Sequence, residues 1–148
     1  ELFDYIHAID GVELGRRLDR IAEEAGKRPI GFVQVDLAGE ETKHGLPESD
    51  LLPALDALGQ LENLNVAGLM ALPPYFEQTE EVRPYFRRLR ELSERARQRG
   101  LLRGAELSMG MSHDFEVAIE EGATMIRVGT ALFGTRPSLA TTPIEETT

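Results

Sequence analysis

There is no cysteine in this 148-residue chain. That removes disulfides, thiolate nucleophiles and cysteine-held metals, and it suits a reducing compartment. Basic residues are few beside acidic ones, sixteen against twenty-six, and a formal net charge of -10 repels a phosphate backbone rather than collecting one. Nucleic acid is therefore not an expected partner. No apolar run is long enough to cross a bilayer and no signal-like amino terminus is present, so a cytoplasmic protein with no membrane partner is expected. His7, His44 and His113 lie far apart without ligand-like spacing, and no metal site is expected. Lysine is confined to Lys27 and Lys43.

What is present is a soluble globular composition, 41% hydrophobic and 28% charged, long enough for one core. The chain opens at Glu1 directly on a strand-like pattern, which reads as a piece of something longer. Five strands are expected near residues 3–9, 30–37, 64–72, 105–109 and 124–129, with a helix between each pair. For the first helix, Asp10 and Glu13 form the pattern of a capping box. Its buried stripe is expected to be Leu14, Leu18, Ile21 and Ala25, with Gly26 as the stop. Val33, Val35 and Leu37 alternate with Phe32, Gln34 and Asp36 in the second strand. The loop 38–45, with its mixed charges, reads as solvated.

Pro47 suits the first turn of a helix carrying Leu51, Leu52, Leu55 and Leu58. Pro73-Pro74 ends the third strand, where a lone Met70 is more often core than ligand contact. A long helix follows over 80–99, acids first and arginines last, buried through Val82, Phe86, Leu89, Leu92 and Ala96. Its arginines read as a solvated face. Beyond Pro137 the tail has no apolar period, so residues 138–148 are expected to be mobile.

Strict alternation of strands and helices implies a parallel sheet. Five units satisfy either a doubly wound sheet or an arc of a (β/α)8 barrel. The chemistry is concentrated in 107–134, LSMGMSHDFEVAIEEGATMIRVGTALFG. Gly110-Met111-Ser112 and Gly129-Thr130 put small residues and backbone N–H groups at two strand ends, an arrangement that can hold a phosphate. Alternation turns Ile126 and Val128 one way and Met125, Arg127 and Gly129 the other. A plain turn after a strand, and an arginine answering a carboxylate, explain the same residues without any ligand.

This stretch closely resembles the last two strands of the YggS/PROSC family of pyridoxal-phosphate-binding proteins. The segments YIHAID, VQVDLAGEETKHGL and NVAGLMALPP resemble earlier family segments in the right order, and the likeness runs to about Arg136. The resemblance implies a (β/α)8 TIM barrel of the alanine racemase amino-terminal type, here its fourth to eighth strands over residues 1–137. It further implies pyridoxal 5'-phosphate as cofactor and a role in vitamin B6 and amino-acid homeostasis without established catalysis. Carried over residue by residue, Met111, Ser112, Gly129 and Thr130 match the phosphate turns, and Ser108 supports them from below. Arg127 matches an arginine near the pyridine nitrogen, with contact to the phosphate as the alternative.

The family's cofactor lysine lies on the first strand, which is absent, and neither Lys27 nor Lys43 matches it; no residue here is assigned a catalytic role. Asp36 stands where relatives often have Asn. The complete protein is expected to be a monomer, while a fragment with open sheet edges could self-associate. Two other functions fit the same fold. One is a fold-type III racemase or decarboxylase, which needs an opposing tyrosine or cysteine from a second domain. The other is a barrel for a different phosphorylated metabolite.

Overall fold

The computed structural model describes residues 3–39 and 44–134. Strand β1 (Tyr5–Ile9) leads into α1 (Val12–Glu24), then β2 (Ile30–Asp36), β3 (Leu46–Pro47) and α2 (Glu48–Leu58). Next come β4 (Asn65–Met70), a 3-10 turn (Thr79–Val82), α3 (Arg83–Gln98), β5 (Glu106–Met111), α4 (Phe115–Glu120), β6 (Met125–Arg127) and α5 (Thr130–Phe133). The main sheet runs β1-β2-β4-β5-β6, and every pair in it is parallel. Strands consecutive in this path are also consecutive in the chain, apart from the two-residue β3, which joins β2 to one side. A doubly wound sheet would reverse strand order part-way, so the arc of a barrel is the architecture observed.

One face of the sheet is closed by the helices. Ile9, Val33, Leu69, Leu107 and Met109 meet Leu51, Leu55, Leu58, Phe86, Leu89 and Ala96, all buried in one cluster. Every apolar residue expected to be buried along 82–96 is covered. Met70 is core as well, 4% exposed. The opposite face carries Phe32, Gln34 and Ser108, buried although two of them are polar.

Several sequence expectations are corrected. The first helix begins at Val12 with Gly11 as its N-cap, which leaves Asp10 one residue too early to cap; Glu13 instead accepts from Arg16 at 2.6 Å. Its covered face is Gly15 and Ala22 with half-buried Leu18, while Ile21 and Ala25 are exposed. The two exposed residues border an open apolar groove with Phe3, Ile6, Leu18 and Ile30, at the amino end of the sheet. Pro47 lies in β3 and just before α2 rather than inside it. The long helix starts at Arg83 after a separate 3-10 turn, because Pro84 has no N–H to donate back into 79–82. Strand β5 reaches Met111, so Gly110 and Met111, expected in a turn, belong to the strand. Residues 40–43 of the charged loop and the tail 138–148 lie outside the described residues.

Candidate anion site at the carboxyl ends of β5 and β6

Strand ends at the carboxyl edge of a parallel sheet expose amides that the strand no longer pairs. Here β5 and β6 finish side by side, Met111 in register with Arg127. The hydroxyl of Ser112, just beyond β5, accepts the amides of Gly129 (3.0 Å) and Ala131 (3.2 Å). A hydroxyl oxygen receiving two N–H groups still has its own hydrogen to donate. Gly110 sits at φ +93, and a Cβ there would lie 2.6 Å from the Cβ of Ala118 and 3.1 Å from the Cα of Phe115. Only glycine lets α4 approach so closely and the chain turn into Ser112. Gly129 is different: its φ of -114 suits any residue, and a Cβ would meet nothing within 4 Å.

The Met111 amide is not free, as the sequence reading supposed. Asp114 caps it, Oδ1 accepting at 2.7 Å, because the turn brings the carboxylate three residues on back over the strand end. Met111 itself is half exposed, and Thr130 is exposed as the first residue of α5. Asp36, at the end of β2, closes its own turn by accepting the amides of Ala38 and Gly39, each at 3.0 Å.

Arg127 projects onto the face away from the helices. One guanidinium nitrogen donates to Ser108 Oγ at 2.5 Å and another to the carbonyl of Ala71 at 2.9 Å. Both partners are neutral, and among the described residues Arg127 makes no ion pair. Burial holds its pKa below the ordinary arginine value, with Asp114 pulling the other way. Ser108 is fully buried and also meets Nδ1 of His7 at 2.9 Å. His7 stacks on Phe32, centroids 4.7 Å apart. Burial, then the charge of Arg127, depresses the His7 pKa below 6.5. The six expected site residues therefore come together in two groups: Met111, Ser112, Gly129 and Thr130 at the turns, and Ser108 with Arg127 on the sheet.

Sequence reasoning missed His7 and Glu121. Glu121 is 4% exposed and meets Arg83 (3.1 Å), Arg87 (3.2 Å) and Arg90 (3.3 Å). The arginines of α3 are thus no simple solvated face: they tie that helix to the end of α4, which carries the Ser112 turn at its other end. The signal was out of reach in sequence, since Glu121 stands 31 to 38 residues from its partners.

An all-parallel arc with polar groups gathered at the strands' carboxyl ends is a partial β/α barrel of the ligand-binding kind. The chain belongs to the alanine racemase N-terminal domain family, whose model matches residues 2–137. It is 47% identical over 134 residues to a pyridoxal phosphate homeostasis protein of Aquifex aeolicus, covering 88% of this chain and 58% of the relative. A homeostasis protein of the same name from Synechocystis is 43% identical over 136 residues, covering 92% and 62%. Among solved structures, PipY of Synechococcus elongatus with PLP bound superposes with a TM-score of 0.82 at 42% identity, over 89% of this chain and 61% of that one. Alanine racemase of Clostridium difficile shares the fold, with a TM-score of 0.66 at 19% identity. The chain thus spans about three fifths of the length of the homeostasis proteins it matches. Among the described residues no helix is long and apolar enough to cross a membrane.

Proposed function

We propose that this chain supplies the phosphate-facing and ring-facing side of a pyridoxal phosphate site, in a monomeric cytoplasmic protein of vitamin B6 and amino-acid homeostasis. Residues 1–137 form the cofactor-binding part. The observation that carries the reading is the half-buried guanidinium of Arg127, whose hydrogen-bond partners are both neutral and which forms no ion pair among the described residues, Asp114 acting on it only from beyond ion-pair distance. A partly desolvated cation so placed gains from an anionic or electron-rich ligand.

The rest of the site fits the same group. Ser112, held by the amides of Gly129 and Ala131, donates its free hydrogen to a phosphate oxygen, and the open space at Gly129 leaves room for close approach. Thr130 offers a second exposed hydroxyl. Met111, half exposed, presents an apolar surface to the ring, and its amide stays with Asp114. Bound pyridoxal phosphate supplies an aldehyde and an electron-withdrawing ring. If Arg127 faces the ring nitrogen, a permanent cation keeps that nitrogen unprotonated and weakens the ring as an electron sink, which favours a carrier over a racemase.

The test is titration of the protein with pyridoxal phosphate, followed by absorbance and by competition with inorganic phosphate. Arg127→Leu should weaken binding at least tenfold, the scale of one charge-assisted hydrogen bond. Affinity unchanged in Arg127→Leu would remove the basis of the proposal.

A further inference from the structure

We propose that His7 is a positioning residue of this site, held as the neutral Nε2–H tautomer so that, through Ser108, it fixes the direction in which Arg127 meets a bound ligand. The inference rests on the cofactor reading only for the identity of that ligand.

The argument begins with a direction forced on three hydrogen-bonding groups. Arginine only donates, so Ser108 Oγ is the acceptor at 2.5 Å. The serine hydroxyl has a single hydrogen, and the polar atom left for it is Nδ1 of His7 at 2.9 Å. Nδ1 must then be bare, which puts the ring proton on Nε2. The chain runs Arg127 to Ser108 to His7 and is satisfied in one sense only. A protonated imidazole would turn two donors on the same oxygen and leave the serine hydrogen without its acceptor.

The backbone shows that the placement of His7 is built in. Residues two apart on a regular strand share a face. His7 stands against Phe32 and Ser108 on the face away from the helices, yet Ile9 is fully buried in the helix-side core beside Val33. The register explains this. Ile6 pairs with Gly31 and Ile9 with Val33, so β1 advances three residues while β2 advances two. The extra residue is a bulge, and Ala8 within it is the one non-glycine at positive φ among the described residues, +68. The strained alanine lies where the chain turns a histidine to the site and an isoleucine to the core.

The groups facing His7 are Phe32 on β2, Ser108 on β5 and Arg127 on β6, of which Arg127 is the charged one. Its charge and the burial of the ring both hold His7 neutral, the state the hydrogen-bond chain requires.

Long-range proton–nitrogen NMR tests the tautomer, with His7 signals assigned by their loss in His7→Asn. The expected result is an unprotonated Nδ1, a protonated Nε2 and a midpoint below 6.5, with the tautomer preference lost in Ser108→Ala. A protonated Nδ1, or a preference indifferent to Ser108→Ala, overturns the inference. Pyridoxal phosphate titration tests the consequence. His7→Leu should weaken binding about tenfold, whereas His7→Asn, whose Oδ1 stands in for Nδ1, should stay within about threefold. Equal loss in both variants, or loss in neither while Arg127→Leu abolishes binding, refutes a positioning role. If Arg127→Leu also binds normally while the tautomer result holds, the relay stands and the cofactor reading falls.

Discussion

Gly110 lies near the end of β5 and Gly129 just beyond β6, and substituting each should separate stability from binding. At Gly110 an alanine meets two costs. A φ of +93 lies where an L side chain is strained, by roughly 1–3 kcal/mol. The new Cβ also lies 2.6 Å from Ala118 Cβ and 3.1 Å from Phe115 Cα, an overpacking of a further ~1–3 kcal/mol unless α4 withdraws. Together these come to about 2–6 kcal/mol. With a urea slope of about 2 kcal/mol per molar, the middle of the usual range, the midpoint should fall by roughly 1–3 M. Gly129→Val meets neither cost, since its φ is ordinary and nothing lies within 4 Å. Its midpoint should stay within about 0.3 M, while pyridoxal phosphate affinity drops because the branched side chain fills the space the ligand needs. Urea unfolding by circular dichroism, paired with cofactor titration, reads both. A Gly110→Ala protein as stable as the parent, or a Gly129→Val protein of full affinity, would refute this division of roles.

Glu121 adds a pH dependence. Burial alone would raise its pKa, but the hydrogen bonds from Arg87 and Arg83 outweigh it and the folded value lies below the ordinary 4.5. The carboxylate therefore stabilises the fold above about 4.5 and loses that contribution as pH falls through the lower folded value. Glu121→Gln should flatten the acid limb of a urea-midpoint profile; an unchanged limb would mean the three arginines do not hold it. For His7 the folded pKa is also depressed, so the unfolded chain binds the proton first and stability falls as pH drops below 6.5. His7→Asn should remove that slope, read in the same profiles. Ala8→Gly relieves the left-handed strain and should raise stability by about 0.5–1 kcal/mol, an outcome thermal melting checks and a lowered midpoint would contradict.

Strand positions were legible because each is bounded by Gly, Pro or a change of period, and β2 and β4 fall within a residue or two of expectation. The buried face of α3 was legible because Phe86, Leu89 and Ala96 repeat at helical spacing. In α1 the same rule failed at Ile21, since that flank borders an open groove rather than a neighbour. The turns of the site could be read from small residues at strand ends, but not that Asp114 covers the Met111 amide. His7 looked like a lone histidine because alternation assigns it to the face of Ile9; only the bulge, a feature of pairing between strands, parts them. Ser108 was read as support for the phosphate turns, whereas its contacts are with Arg127 and His7.

The ion pairs of α3 have a consequence for ionic strength. Arg83, Arg87, Arg88 and Arg90 pair with Glu48, Glu80, Glu91, Glu94, Glu120 and Glu121 on α2, the 3-10 turn, α3 and the end of α4 in a chain whose net charge is -10. Added salt acts on these two facts in opposite senses. It relieves the self-repulsion of the acidic excess, and it screens the solvent-exposed outer pairs, the more so as the Debye length contracts from about 10 Å at 0.1 M to about 3 Å at 1 M. The covered Glu121 is screened least, so at high salt the ionic part of the attachment of α4 to α3 narrows to that single carboxylate, beside the unscreened apolar packing of Val117 and Ala118. The charged tie between α3 and the helix that follows the Ser112 turn then rests on one residue.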